Sequence, residues 1–293
     1  EKPYQSLQKA ATVASGYAAG HCVVYVLPGD YDNETGTPDA ASCGSLKCRV
    51  ALTSQQQSDV RFVAVGGPSV TTIRGEADAT ETGRGPDAVR CVFARTVNSS
   101  YGVYFTGFTL ADGSTDAVTT HDGRGGAAYG GVSASRLWLN DCVITGCEAA
   151  NGLLYYARAV RCQFVHCVTN DGALAVEGIL ASSLAWDCGP KGKTSSNYLI
   201  GAETLAYNVS IGSSSAKGCV SVATVRNSIL DQRHGVAEDI NGYGIANNGT
   251  HKYTLARTVG GTPNTGIGGR QEGSVFYVPA GYADEVEETP SES

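Results

Sequence analysis

The chain has 293 residues, of which 42% are hydrophobic and only 17% charged, with a formal net charge of −7. The acidic balance and the absence of Lys/Arg runs argue against nucleic acid or an anionic membrane as a partner. No apolar run is long enough to predict a membrane span. Glycine is the commonest residue, with 38 copies, and this indicates many tight turns.

The first twenty residues predict a helix. Leu7, Ala10, Ala11 and Ala14 follow a spacing of three and four, and the glycines at 16 and 20 mark its end. Strand, glycine turn and strand then alternate from residue 22 to residue 78. Because an open solenoid end exposes apolar core and unpaired strand edges, we expect the helix over 1–20 to cap such an end.

The stretch 136–192 organises the rest of the chain, since three lines of about 20 residues repeat there. Cys142 and Cys162 lie 20 apart, and Ser183 is next in that series. A second series is formed by Cys147, Cys167 and Cys188, at spacings of 20 and 21. Two weaker lines, 205–218 and 225–235, place Asn208 and Ser228 at the level of Cys142.

A period near 20 with β-prone runs and glycine punctuation is typical of stacked repeats that bury their apolar faces against one another. We predict an all-β protein, a right-handed parallel β-helix (solenoid) with an N-terminal capping helix. The β-helix covers 21–282, with irregular coils from about 236, and an acidic tail or linker covers 283–293. The five cysteines of the two series are predicted to be interior thiols, because stacked parallel side chains lie alongside each other.

The remaining cysteine prediction concerns a short loop. Cys43 and Cys48 are five residues apart in GTPDAASCGSLKC, and this spacing suits a local disulfide. A disulfide implies an oxidising compartment, which agrees with an extracellular or cell-surface location.

The N-terminal helix is followed by the segments VVYVLPGDY and VRFVAVGGPSVTTIRG. These segments resemble the entry of the pectate-lyase-like superfamily of right-handed parallel β-helices. YFTGFTLADGS, GGAAYGG and LNDCVITGC resemble the repeats of bacterial surface and secreted β-helices, including chlamydial polymorphic outer-membrane passengers. The resemblance spans roughly residues 4–235. It implies a fold that hosts lyases, hydrolases, esterases, adhesins and structural proteins.

Catalytic signatures of the superfamily's hydrolases, methylesterases and lyases are absent from the sequence. The best remaining polar cluster lies in the excursion 111–131 and the coils after it. The catalytic candidates are Asp116, Asp122, Arg124, Arg161 and His166. Calcium is the one cofactor suggested, on Asp112, Asp116 and Asp122, with arginine as base. The competing interpretation, which we favour, is turn chemistry in which these carboxylates bond local backbone.

The sequence also contains residue types that suit a zinc site and a sugar-stacking site. Adjacent His166 and Cys167 must face opposite sides of a strand, so they are not predicted to share a zinc ion. Tyr155, Tyr156 and Trp186 can stack on sugar rings, but more often such aromatic side chains cover neighbouring coils.

Three functions remain open at this point. The first is a non-catalytic segment of a bacterial surface or secreted protein that binds a polysaccharide or cell-surface glycan. The second is a polysaccharide lyase acting on a uronate-containing polymer. The third is a structural subunit that stacks end to end, by self-association, into a filament or layer. The sequence does not decide whether the protein is an enzyme.

Overall fold

The computed structural model describes most of the chain to residue 189 and shorter segments after it. The described residues are 4, 6–17, 20–33, 35–36, 44–52, 58–80, 83–95, 101–118, 120–131, 136–169, 173–189, 198–200, 204–212, 218–221, 224–226, 228–232, 246–247, 250–252, 255–258, 271–272 and 275–277. The predicted acidic tail at 283–293 lies outside these residues. None of the described helices is both long and apolar enough to cross a membrane.

Parallel strands form three long sheets along the described chain. Sheet 1 contains His21–Val26, Asp59–Ala64, Val103–Thr106, Leu137–Asn140, Ala157–Val160, Ile179–Ala181, Leu205–Tyr207, Thr224–Arg226, Thr250–Lys252 and Gln271–Glu272. Sheet 2 contains Gly29–Tyr31, Thr71–Arg74, Thr109–Ala111, Val143–Thr145, Gln163–Val165, Leu184–Trp186, Ser210–Gly212, Ile229–Gln232, Leu255–Thr258 and Val275–Tyr277. Sheet 3 contains Lys47–Leu52, Val89–Ala94, Ala128–Tyr129, Leu154–Tyr155, Ala175–Val176, Tyr198–Ile200, Gly218–Ser221 and Ala246–Asn247, and a short fourth sheet pairs Glu148–Ala149 with Val168–Thr169.

The chain visits sheet 1, sheet 2 and sheet 3 in turn and then begins the next coil. Each strand therefore pairs with its equivalent one coil earlier and one coil later, always in parallel. Together with the helix Leu7–Ser15 at the N-terminal end, this confirms the predicted right-handed parallel β-helix. The helix begins after Ser6, whose side chain accepts the N–H of Lys9 at 3.0 Å.

Residues in the left-handed backbone conformation, with positive φ, turn the chain at the corners of the coil. Between sheets 1 and 2 these are Asp141, Arg161, Ser182 and Asn208; between sheets 2 and 3 they are Asp112, His166 and Asp187; between sheets 3 and 1 they are Tyr156 and Glu177. Their φ angles lie between 49° and 54°. Non-glycine residues adopt this conformation uncommonly, so its recurrence at equivalent positions shows that the corner geometry is imposed coil after coil.

The structure places all five cysteines of the two series in the interior, one residue after a corner. Four of these thiols donate to carbonyl oxygens of the previous coil, as Cys162 does to Leu139 and Cys167 does to Ile144, both at 3.4 Å. Cys188 donates to the carbonyl of Trp186 in its own coil at 3.3 Å. Burial raises the pKa of the Cys142 and Cys167 thiols well above the usual range. Cys142 and Cys167 therefore fill the core as neutral thiols.

One line of the predicted repeat is out of register by one residue. Leu180 pairs with Ala206 rather than Leu205, and Val209 rather than Asn208 takes the interior position after the corner. Asn208 is instead the exposed corner residue. The longer excursion before residue 205 shifts the line, and a shift of one reverses which side chains face the core.

The predicted disulfide between Cys43 and Cys48 is not seen. Cys48 is a free thiol with no exposed surface, and it packs with Ala51, Phe93 and Tyr129 outside sheet 3. Cys43 lies outside the described residues. Burial raises the pKa of Cys48 to about 11, so this thiol is neutral and unreactive as it stands.

Candidate functional site

The polar residues singled out from the sequence are not gathered in one site. Arg161 and Asp141 pair at the corner between sheets 1 and 2, with Nε–Oδ1 at 2.6 Å and Nη2–Oδ2 at 2.8 Å. This bidentate guanidinium lowers the pKa of the Asp141 carboxyl. His166 lies at the corner between sheets 2 and 3, where its Nδ1 is 2.7 Å from Asp187 Oδ2. Both pairs are exposed and link successive coils.

The three carboxylates suggested for calcium do not share a site. Asp112 pairs with Arg74, which also contacts Asp30 at 3.1 Å. Asp116 accepts the backbone N–H of the next residue at 2.6 Å, as expected of turn chemistry. Asp122 accepts the N–H groups of residues 45 and 46 at 2.7 and 2.9 Å. Within the described part of the chain, no three His, Cys, Asp or Glu side chains are grouped to hold a metal ion.

The loop around the 3₁₀ turn His121–Gly123 covers the outer face of sheet 3. Arg90, which has no exposed surface, reaches from that sheet and donates to the carbonyls of His121 and Arg124, the latter at 2.7 Å. Arg124 stacks over the Tyr155 ring at 4.5 Å, and His121 Nδ1 lies 2.6 Å from the Tyr129 hydroxyl. These contacts hold the excursion against the solenoid, so Asp122 and Arg124 have structural roles here.

Of the aromatic residues named from the sequence, some cover neighbouring coils and one is exposed on the surface. Tyr155 is buried and donates to Glu177 Oε1 at 3.2 Å, while its ring meets that of Tyr156 edge to face. Burial raises the pKa of the Tyr155 hydroxyl. Trp186 is 45% exposed on sheet 2. Tyr155 and Tyr156 therefore cover neighbouring coils rather than forming a sugar platform.

Sequence reasoning missed an extended row of side chains on the described surface. On the outer face of sheet 1, Arg61, Tyr104, Trp138 and Arg158 occupy paired positions in four successive strands. We call these four residues the sheet 1 column. Val23 precedes the column, and Ile179 and Leu205 continue the line beyond it.

The column is held together by ring faces. The Tyr104 and Trp138 rings stack at a centroid distance of 6.4 Å, with 12° between their planes. The guanidinium of Arg61 lies 4.8 Å from the Tyr104 centroid, and that of Arg158 lies 4.7 Å from the Trp138 centroid. Each ring thus has one neighbour on each face, so the two guanidinium groups form the ends of a stacked unit.

Only one of the two arginines of the column lies beside a described carboxylate. Arg61 has a 49% exposed side chain, and its Nη2 lies 3.7 Å from Asp59 Oδ2. No described carboxylate lies within ion-pair distance of Arg158, whose pKa is lowered by partial burial and by the neighbouring charge of Arg136. In the described residues, Trp138 Nε1 is also buried without a hydrogen-bond partner. At Arg158 the column therefore presents a positive charge that has no carboxylate partner among the described residues.

A signal for this column exists in the sequence. Each of its residues stands second in one of the segments VRFV, VYFT, LWLN and ARAV, each of which alternates inward apolar residues with outward ones. Arg61 and Tyr104 are 43 residues apart and Tyr104 and Trp138 are 34 apart, because excursions interrupt the early coils. A constant period of 20 cannot align them.

Comparisons with known proteins leave the function open. No family model matches the chain, and no curated protein matches it. Among solved structures, it is similar to the A-module of a mannuronan C-5 epimerase from Azotobacter vinelandii, with a TM-score of 0.28 and 14% identity. That similarity covers 93% of this chain and 81% of the other. At this level it carries no argument about what the protein does.

Proposed function

We propose that the protein is an extracellular or cell-surface β-helix that binds an acidic polysaccharide along the outer face of sheet 1, without catalysing a reaction. The observation that carries the proposal is the sheet 1 column, with an arginine at each end and no carboxylate beside Arg158. Arginine is suited to carboxylate and sulfate groups because its planar fork donates two parallel hydrogen bonds.

The stacking decides which kind of contact the ligand makes. Because the faces of Tyr104 and Trp138 are already covered, a sugar ring cannot stack on them as the column stands. The rings instead fix the guanidinium groups in position, which reduces the entropy lost when a ligand binds. The outward edges of Arg61 and Arg158 then provide the hydrogen bonds.

The separation of the two arginines favours a polymer. Arg61 and Arg158 are three strand steps apart, roughly 14 Å at about 4.8 Å per step. A single small anion cannot contact both, whereas a chain with repeated acidic groups lying along the solenoid can. Simultaneous contact raises the affinity through the high effective concentration of the second group.

Titration calorimetry with acidic and neutral oligosaccharides of matched length tests the proposal. We expect binding of the acidic oligosaccharide alone, weakened by salt, and a loss of at least roughly tenfold in affinity for Arg158→Gln and for Arg61→Gln. Lys47→Gln is the matched control, because it removes one positive charge from a side chain that is 51% exposed and lies on sheet 3. Equal binding of neutral sugars, or unchanged affinity in both arginine variants, would overturn the proposal.

The same samples distinguish binding from the lyase alternative. Lyases leave an unsaturated product that absorbs in the ultraviolet, so uronate polymers are incubated with the protein and calcium and the absorbance is followed. We expect flat traces. A rising trace that is lost in Arg161→Gln would replace the binding proposal with the lyase.

A further inference from the structure

The N-terminal end of the solenoid protects its three sheets unequally. The edge of sheet 3 is covered, since the Gln8 side-chain amide pairs with Ala51, accepting its N–H at 2.7 Å and donating to its carbonyl at 3.0 Å. Gly36 forms an antiparallel bridge with Cys48 on the same strand, at 2.8 and 2.9 Å. Four backbone groups of the sheet 3 edge are thus satisfied.

Sheets 1 and 2 have no such cover in the described residues. His21–Val26 pairs only with Asp59–Ala64, and Gly29–Tyr31 pairs only with Thr71–Arg74. The carbonyl of Val26 accepts the N–H of Val65 in the second coil at 2.9 Å. Because neighbouring residues of a strand point their backbone groups in opposite directions, the groups of Tyr25 and Val23 face the open edge.

An apolar groove borders this open edge. It has a volume of about 430 Å³ and lies between the helix Leu7–Ser15 and the strand His21–Val26. Among its lining residues, Tyr25 is 72% exposed, Val13 46% and Val23 44%. Cys22 and Val24, at inward positions of the first coil, are only half-buried. The end of the core is therefore incompletely covered beside two free strand edges.

We infer that this end receives the C-terminal end of a second copy of the chain, so that the sheets continue from one molecule into the next. A single extended peptide can satisfy one edge, but two edges set at a fixed corner require a partner with two strands at the same angle. The last described strands of sheets 1 and 2 are Gln271–Glu272 and Val275–Tyr277, and they offer such a pair. Since every coil strand runs in the same direction, a copy translated along the axis presents the polarity that parallel pairing needs.

The contact joins two different surfaces, so it does not close on itself. A head-to-tail interface without rotational closure leads to open assemblies that lengthen with concentration. This distinguishes it from a symmetric pairing of two N-terminal ends, which stops at a dimer. The inference does not depend on the polysaccharide proposal, because the column lies on a lateral face rather than at the end.

Multi-angle light scattering at micromolar to millimolar concentrations tests the inference. We expect the mean mass of the unaltered chain to rise with concentration, and the double variant Val23→Lys with Tyr25→Lys to associate at least roughly tenfold more weakly, since charged edge strands resist pairing. Leu205→Lys is the matched control, because Leu205 is 37% exposed on the same face but lies in an interior strand. It should assemble like the unaltered chain.

Tyr25→Pro is the second variant, because it removes an edge N–H without removing a hydrogen bond to the second coil. Circular dichroism and thermal melting check that each variant is folded. A variant with a blocked N-terminal end still offers its C-terminal end, so adding it to unaltered chain should shorten the assemblies. A concentration-independent monomer, a dimer that grows no further, or variants that assemble as well as the unaltered chain would overturn the inference.

Discussion

The outer faces of sheets 1 and 3 each carry an arginine over a tyrosine ring, but this pair is buried on sheet 3 and partly exposed on sheet 1. On sheet 3, Arg90 lies 5.2 Å from the Tyr129 centroid and has no exposed surface. On sheet 1, Arg61 lies 4.8 Å from the Tyr104 centroid with half of its side chain exposed. An arginine over a tyrosine ring therefore does not reveal by itself whether a site is structural or available to a ligand.

The difference lies in what else the guanidinium contacts. Arg90 donates to two carbonyls of the covering loop and lies 4.0 Å from Asp122. Its Nε and Nη2 hold the excursion 111–131 in place, while Nη1 is buried without a hydrogen-bond partner among the described residues. The arginines of the sheet 1 column contact mainly ring faces, which satisfy no N–H donor in the plane of the guanidinium. The partial exposure of the sheet 1 arginines and the lack of a described carboxylate beside Arg158 support the sheet 1 column as the proposed binding face.

The largest expected contrast comes from removing one arginine from each face. Arg90→Met should lower the free energy of unfolding by roughly 3–5 kcal/mol, because it leaves two carbonyls without their donor and removes the buried charge beside Asp122. Arg158→Met should cost less than about 1 kcal/mol, since it removes only a partly buried cation–π contact. Urea unfolding of the two variants measures both values. Similar losses would mean that the two faces do not differ as described.

Removing the ring beneath an arginine should have an intermediate effect. Trp138→Ala deletes the stack with Tyr104 and the support of Arg158, and we expect a loss of roughly 1–2 kcal/mol in unfolding free energy. Affinity for the acidic oligosaccharide should fall as well, because Arg158 is no longer fixed. Trp138→Phe keeps a ring at the same place and should retain most of both. If Trp138→Ala binds as tightly as the unaltered chain, the rings do not position the arginines.

The smallest expected effect is a pH dependence confined to the sheet 3 face. Partial burial, Arg124 and Arg90 lower the pKa of His121, while Asp122 opposes them. Because the folded-state pKa lies below the unfolded value of about 6.5, folding favours the neutral ring, and the stabilisation is lost as the pH falls from about 6.5 toward the folded-state pKa. Thermal unfolding of His121→Asn should therefore be less sensitive to acid than that of the unaltered chain. Parallel curves for the two proteins would rule this out.

The fold could be predicted from the sequence because its repeat is periodic. Cys142 and Cys162, and Cys147 and Cys167, recur at 20 residues because each follows a corner residue in a coil of constant length. The prediction shifted by one residue at Asn208, where a longer excursion precedes the line. The spacing of a repeat does not show how many residues of an excursion lie outside the coil, so it does not fix the register after one.

The candidate site was much less readable. Asp112, Asp122 and Arg161 were noted because polar residues cluster near them in sequence, yet each is engaged by a different neighbour. Successive members of the sheet 1 column are up to 43 residues apart in the sequence. Such contacts depend on the register between coils, which the sequence specifies only after the lengths of all the excursions are known.

The stacked thiols have a consequence for how long the protein lasts in an oxidising medium. Inside the folded solenoid, Cys142, Cys147 and Cys167 are neutral and shielded, and thiolates rather than thiols react with oxidants. Once a molecule unfolds, the same sulfurs become exposed at ordinary pKa values and can form wrong disulfides that prevent refolding. The lifetime of the protein under oxidising conditions is therefore set by its rate of unfolding rather than by its equilibrium stability.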